Sequence, residues 1–218
     1  MGQLSAFDQE VVDILRHRGI FENVDAMRFH LDNGVIIFRC PDGDQMLDRI
    51  RHDEQVAREA GGELRPHLLT CHGGSMVLAP DSPLYPGMGA DQLYLTMIRE
   101  AEALKDIKTV SAEIHAPCGK AMSLGLTLVE QIVLLMAAKP RIKAIDPTNK
   151  VVCRVHINDR SGRKRTYFIS RAKWIAFWES EGRQVWGYRF PVDPYASQLP
   201  GEALAGADHH ETSDLVGM

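Results

Sequence analysis

The chain has 218 residues, 44% of them hydrophobic and 25% charged, which is the balance of a globular protein able to bury a real core. Its formal charge of −4 supplies no global basic field for nucleic acid or an anionic membrane. The basic run "RSGRKR" at 160–165 is short and reads as a solvated hairpin tip.

No apolar run is long enough to span a bilayer. The first residues form an amphipathic pattern without an apolar signal core, and Ala6 stands where a myristoylation signal needs Ser or Thr. A cytoplasmic protein is therefore expected. Its four cysteines, Cys40, Cys71, Cys118 and Cys153, are expected as thiols or metal ligands rather than disulfides.

In chain order, Val11, Ile14 and Leu15 share one helical face, so a helix is predicted over 6–18. "GVIIFR" (34–39), bounded by Asn33-Gly34 and Pro41, reads as a buried strand. Met46, Ile50 and Val56 then mark one face of a helix stopped at Gly61. "PHLLTC" (66–71) is a second strand and leads into His72-Gly73-Gly74-Ser75. Prolines and glycines over 79–90 mark a loop, followed by a helix over 90–104.

"IKTVSAEI" (107–114) is a third strand, ending at His115-Ala-Pro-Cys118-Gly119. A long apolar helix is predicted over 120–139, stopped by Pro140. Segments 150–158 and 164–171 flank Ser161-Gly162 as a hairpin. Alternation puts Val151, Cys153, Val155 and Ile157 on one face, and Val152, Arg154 and His156 on the other. A late helix carries Trp174, Phe177 and Trp178, aromatics that fit helix packing or a subunit interface.

Strands alternating with helices predict an α/β fold: a mostly parallel central sheet flanked by helices, with a C-terminal hairpin adding an antiparallel edge strand. One domain is expected over 1–190 and a flexible tail over 191–218, whose His209-His210 pair is read as part of that tail.

Two of the parallel strands end in residues that ligate zinc, Cys40 after the first and the His115/Cys118 pair after the third. Ligands of open α/β sheets lie beyond the carboxyl ends of strands, so these residues converge if the two strands are neighbours. Two thiolates and an imidazole suit Zn2+ and leave a fourth position open. Gly119 gives the backbone room where the next helix begins.

The order Cys40-Pro-Asp42-Gly-Asp44 and His115-Ala-Pro-Cys118-Gly119 resembles the β-class carbonic anhydrases over about 34–157. That family carries Cys-x-Asp-x-Arg after its first strand and His-x-x-Cys-Gly after a later one. The resemblance implies zinc held by Cys40, His115 and Cys118, with Asp42 as the catalytic residue that accepts a hydrogen bond from zinc-bound water. The implied reaction is reversible hydration of CO2 to bicarbonate by zinc-bound hydroxide, or hydrolysis of a related small molecule such as carbonyl sulfide or carbon disulfide. It also implies a homodimer or higher homo-oligomer, with the N-terminal helix on the partner subunit, and neither nucleic acid nor membrane as partner.

The family's arginine is Asp44 here. Two neighbouring carboxylates repel, so one is protonated or finds the metal. Asp42 then becomes a fourth ligand, and the protein a zinc-stabilised, non-catalytic binding or regulatory module. Arg28, Arg39 and Lys120 are the candidate substitutes for the missing cation, although alternation aims Arg39 away from Cys40. His72 and Gly73 follow the second strand and are expected to line the pocket with Asp44 and Gly119; His72 there is either a proton relay or a plain loop residue. A thiol redox pair of Cys40 and Cys118 is a third alternative.

Overall fold

The computed structural model describes residues 2–24 and 33–187. Arg28 and the tail expected from residue 191 lie outside the described residues. The chain divides into two compact units, 1–177 and 178–218.

The first unit is built on a six-stranded mixed sheet. Its strands are β1 (Phe21–Asn23), β2 (Val35–Arg39), β3 (Pro66–Thr70), β4 (Thr109–Ala116), β5 (Lys150–Asn158) and β6 (Lys164–Ile169), in the order β1-β6-β5-β4-β2-β3. β3, β2, β4 and β5 run parallel, while β6 and β1 are antiparallel to their neighbours. The helices are α1 (Ala6–His17), α2 (Gly43–Glu59), α3 (Ala90–Lys105), α4 (Gly119–Ser123), α5 (Leu128–Lys143) and α6 (Arg171–Phe177). None of the helices among the described residues is long and apolar enough to cross a membrane.

Several elements depart from the sequence expectation. β1 is too short to show a period, and it pairs with β6 through Phe21↔Ile169, so β6 is flanked on both sides. β4 continues past Ile114 to Ala116 because β5 stays beside it, with His115↔His156 and Ala116↔Ile157 in register. The apolar helix predicted over 120–139 is two helices. Gly125, at φ 69, turns the chain. A capping box of Thr127 and Glu130 then starts α5.

Pro140 lies inside α5 rather than stopping it. A proline there leaves the carbonyl four residues earlier without its N–H. That carbonyl belongs to Met136, and Arg171 donates to it from Nε at 3.2 Å.

α1 buries Val11, Val12 and Leu15. Asp8 at its start accepts the Leu128 N–H at 2.7 Å. Arg16 at its end reaches the Tyr167 hydroxyl and Asp159. The second unit opens with a π-helical turn over Trp178–Gly182 and a short helix, α7 (Arg183–Trp186).

α2 corrects its predicted face. Its buried residues are Gln45, Arg49, Asp53, Val56 and Ala57, not the stripe of Met46, Ile50 and Val56. The sheet face it covers explains the change. Near the amino ends of the strands that face is apolar, with Val35, Ile37 and Phe168 packed on Val56.

Towards the carboxyl ends the same face carries Arg39, Glu113 and Arg154, all fully buried. Arg39 pairs with Asp53 and with Glu113 at 3.0 Å. Arg154 pairs with Asp53, with Glu113 at 3.0 Å, and with the Ser111 hydroxyl at 2.7 Å. Arg49 meets Glu113 at 2.9 Å. Burial alone would raise the Glu113 carboxyl, but the Arg39, Arg154 and Arg49 guanidiniums override it and hold it well below the usual range.

Removing one partner from a buried ion network leaves uncompensated charge at a cost of about 3–5 kcal/mol. Asp53→Ala, which strips Arg39 and Arg154 of a shared carboxylate, is expected to lose that much in urea unfolding. A loss as small as a surface substitution would show that water reaches the network.

Candidate metal centre

The site begins where β2 and β4 part. Their pairing runs from Ile36↔Val110 to Phe38↔Ala112. Beyond it Ser75 is inserted. Its hydroxyl donates to the Phe38 carbonyl at 2.9 Å and accepts the Glu113 N–H at 2.8 Å. The chain leaves β2 for β3 on one side and returns to β4 on the other, so the crevice between β2 and β4 is the topological switch point of the sheet.

Gly73 and Gly74 let the loop after β3 enter this crevice. Gly74 has φ 62, and a Cβ there would stand 2.5 Å from the Glu113 carbonyl oxygen and 3.0 Å from the Cys40 nitrogen. Only glycine tolerates both the conformation and the approach. The Gly73 N–H points at the Cys40 sulfur, 3.4 Å away.

Cys40 lies in the extended exit of β2, His115 within β4, and Cys118 at the start of α4 after the cis peptide Ala116–Pro117. Their ligand atoms all lie within 4.8 Å of one another, and all three residues are buried. His115 is wholly buried, and neither of its ring nitrogens makes a hydrogen bond of ordinary geometry, with Cys118 its neighbour in the trio. His115 is the one described histidine with both ring nitrogens buried and unpaired, a cost that a metal ion would relieve. Two thiols and such an imidazole fit a metal ion, and the sulfur donors favour a soft or borderline one such as zinc.

The two thiols are linked. Hydrogen bonding from Cys40 lowers Cys118, which His115 beside it lowers further against the opposing effect of burial, to about 4. The same hydrogen bond and burial push Cys40 up. A metal ion binds cysteine as the thiolate, so the lowered Cys118 favours that form.

Asp42 caps α2. One carboxylate oxygen accepts the Asp44 N–H at 3.0 Å, and the other lies 3.9 Å from His115 Nε2. It therefore reaches the centre through His115 and stands beside the mutually close trio. Asp44 is exposed, and among the described residues no Lys or Arg pairs with either carboxylate. Arg39 turns to Asp53 and Glu113, as alternation requires, and Lys120 lies over the Tyr85 ring at 4.9 Å. His72 and Gly119 are exposed beside the crevice. Cys71 and Cys153 are buried outside the trio.

The layer beneath the trio is what sequence reasoning missed. Gln45, Arg49, Asp53, Glu113, Arg154 and His156 are all buried there. The signal was present: polar residues at 45, 49 and 53 share a helical face, and Arg39, Glu113 and Arg154 alternate onto one sheet face. Apolar periodicity alone hides such a face. No family model matches this chain, and no curated protein or solved structure matches it either.

His156 accepts or donates at Nδ1 with the Thr166 hydroxyl at 2.9 Å, and its Nε2 has no partner. Burial lowers it to about 3 from an ordinary 6.5. The unfolded chain therefore binds a proton that the native state refuses, so stability is full above about pH 6.5 and falls as pH drops towards about 3. His156→Gln is expected to flatten that slope by a few kcal/mol (about 1.4 per pH unit at most), read from urea midpoints at stepped pH. An unchanged slope would place the acid sensitivity elsewhere.

Proposed function

We propose that this chain is a zinc protein of the β-carbonic-anhydrase kind that hydrates CO2 reversibly. The observation that carries the reading is the convergence of Cys40, His115 and Cys118, with an unpartnered buried imidazole, in the crevice between β2 and β4. Zinc, when bound, supplies the Lewis acidity that brings the ionisation of water towards neutrality.

The chain's own residues do the rest. The thiolates and His115 hold the ion. The carboxylate oxygen of Asp42 that faces His115 would accept a hydrogen bond from a water molecule and orient it, while its other oxygen is fixed by the Asp44 N–H. Tyr85, Lys120 and Cys71 lie close together near Cys40, where a small linear electrophile would approach; carbonyl sulfide and carbon disulfide fit the same chemistry. Cytoplasmic location and a homodimer or larger homo-oligomer belong to the same proposal.

A second reading has its own observation. Among the described residues no arginine pairs with Asp42, and one of its carboxylate oxygens lies 3.9 Å from His115. In that reading Asp42 completes the ligand set, and the protein is a zinc-stabilised binding or regulatory module.

Two measurements separate the readings. The first expects one zinc per chain in the purified protein and loss of that zinc in Cys40→Ser and His115→Ala. The second is stopped-flow CO2 hydration between about pH 6 and 9. Activity that falls at least about tenfold in Asp42→Ala supports the enzyme. Stoichiometric zinc with no hydration, and hydration appearing in Asp44→Arg, establishes the closed site instead.

A further inference from the structure

Gln45 and Arg49 occupy successive turns on the buried face of α2 and are 2% and 1% exposed. Gln45 Nε2 donates to the Pro117 carbonyl at 3.3 Å. Arg49 donates from one terminal nitrogen to the Cys40 carbonyl at 2.7 Å and from the other to Glu113 at 2.9 Å. Its Nε reaches the Gln45 carbonyl at 3.4 Å. Pro117 lies between His115 and Cys118, and Glu113 is two residues before His115 on the same face of β4.

We propose that Gln45 and Arg49 are positioning residues of the metal centre, setting the distance between Cys40 and the His115/Cys118 pair by holding the backbone of both ligand-bearing turns from one helix face. This rests on the metal reading above.

The physical need is plain. The ligands come from two strands that Ser75 has already separated, so β2–β4 pairing no longer fixes their spacing. Ordering both turns only when the ion arrives would cost conformational entropy. A planar guanidinium that spans a carbonyl and a carboxylate prepays that cost, and a lysine cannot span both in the same geometry. Arg49 also brings a fixed positive charge beneath Cys40. Partners of this kind, one step removed from the ligands, typically change metal affinity by 10–100-fold or so.

The test compares wild type with Arg49→Met, Arg49→Lys and Gln45→Leu in the full chain. Zinc affinity is read by competition with a chromophoric chelator, and site geometry by the visible bands of the cobalt(II)-substituted protein. Arg49→Met is expected to weaken zinc about 10–100-fold and Gln45→Leu about tenfold, both with shifted cobalt bands. Arg49→Lys, which keeps the charge without the fork, stays weaker than wild type. Wild-type zinc affinity and cobalt bands in the folded variants, whatever their unfolding temperatures, would overturn the proposal and leave a purely structural role. If Arg49→Met does not fold, Gln45→Leu, which removes no charge, decides on the same two readouts. Should wild type itself bind neither metal, the metal reading falls and takes this one with it. Binding by wild type with unaltered variants overturns this inference alone.

Discussion

Glu113 meets three guanidiniums inside the protein, and the rest of the structure is arranged around that fact. Arg39 comes from β2, Arg154 from β5 and Arg49 from α2, while Glu113 itself lies on β4. Asp53 on α2 closes the set by pairing with Arg39 and Arg154. A carboxylate buried this deeply is stable only with such partners. The network therefore fixes the rotation of α2 over the sheet, because any other face of the helix would leave charges without counterparts. An apolar seal of Val35, Ile37, Val56 and Phe168 stands at the opposite end of the same interface.

The candidate metal centre inherits its geometry from this layer. Arg39 immediately precedes Cys40, and Glu113 stands two residues before His115, so both ligand-bearing strands are pinned just below the site. Above that level the strands separate around Ser75, and Gly74 approaches so closely that no Cβ fits. The result is a crevice with rigid walls and buried donors, the arrangement a metal-binding constellation needs. The network has three cations and two anions, and the excess positive charge lies directly beneath two thiols that an ion would bind as thiolates.

The two proposed readings, an open site and a closed one, differ in the part given to Asp42. Capping α2 ties one of its oxygens to the Asp44 amide, and the other is left beside His115. Among the described residues, Arg39 and Arg49 are committed to the buried network, and Lys120 is engaged with Tyr85. Asp42 therefore pairs with no Lys or Arg among the described residues, and both proposed readings draw on its second oxygen, as acceptor for a water or as ligand for an ion.

The sequence by itself determined the α/β alternation, most strand positions and the residues of the trio, because strand runs, turn residues and a His-x-x-Cys turn are local signals. It also determined that Arg39 points away from Cys40, since alternation along a strand is geometry. It did not reveal β1, which is three residues long and exists only through β6, or the continuation of α5 through Pro140, which depends on Arg171 reaching Met136 from a distant helix. Nor did it reveal the buried face of α2. Gln45, Arg49 and Asp53 read as solvent-facing until the charged end of the sheet lies opposite them. Only the tertiary structure decided that, because a charge is assigned to core or surface by its partner, and these partners lie up to 101 residues away.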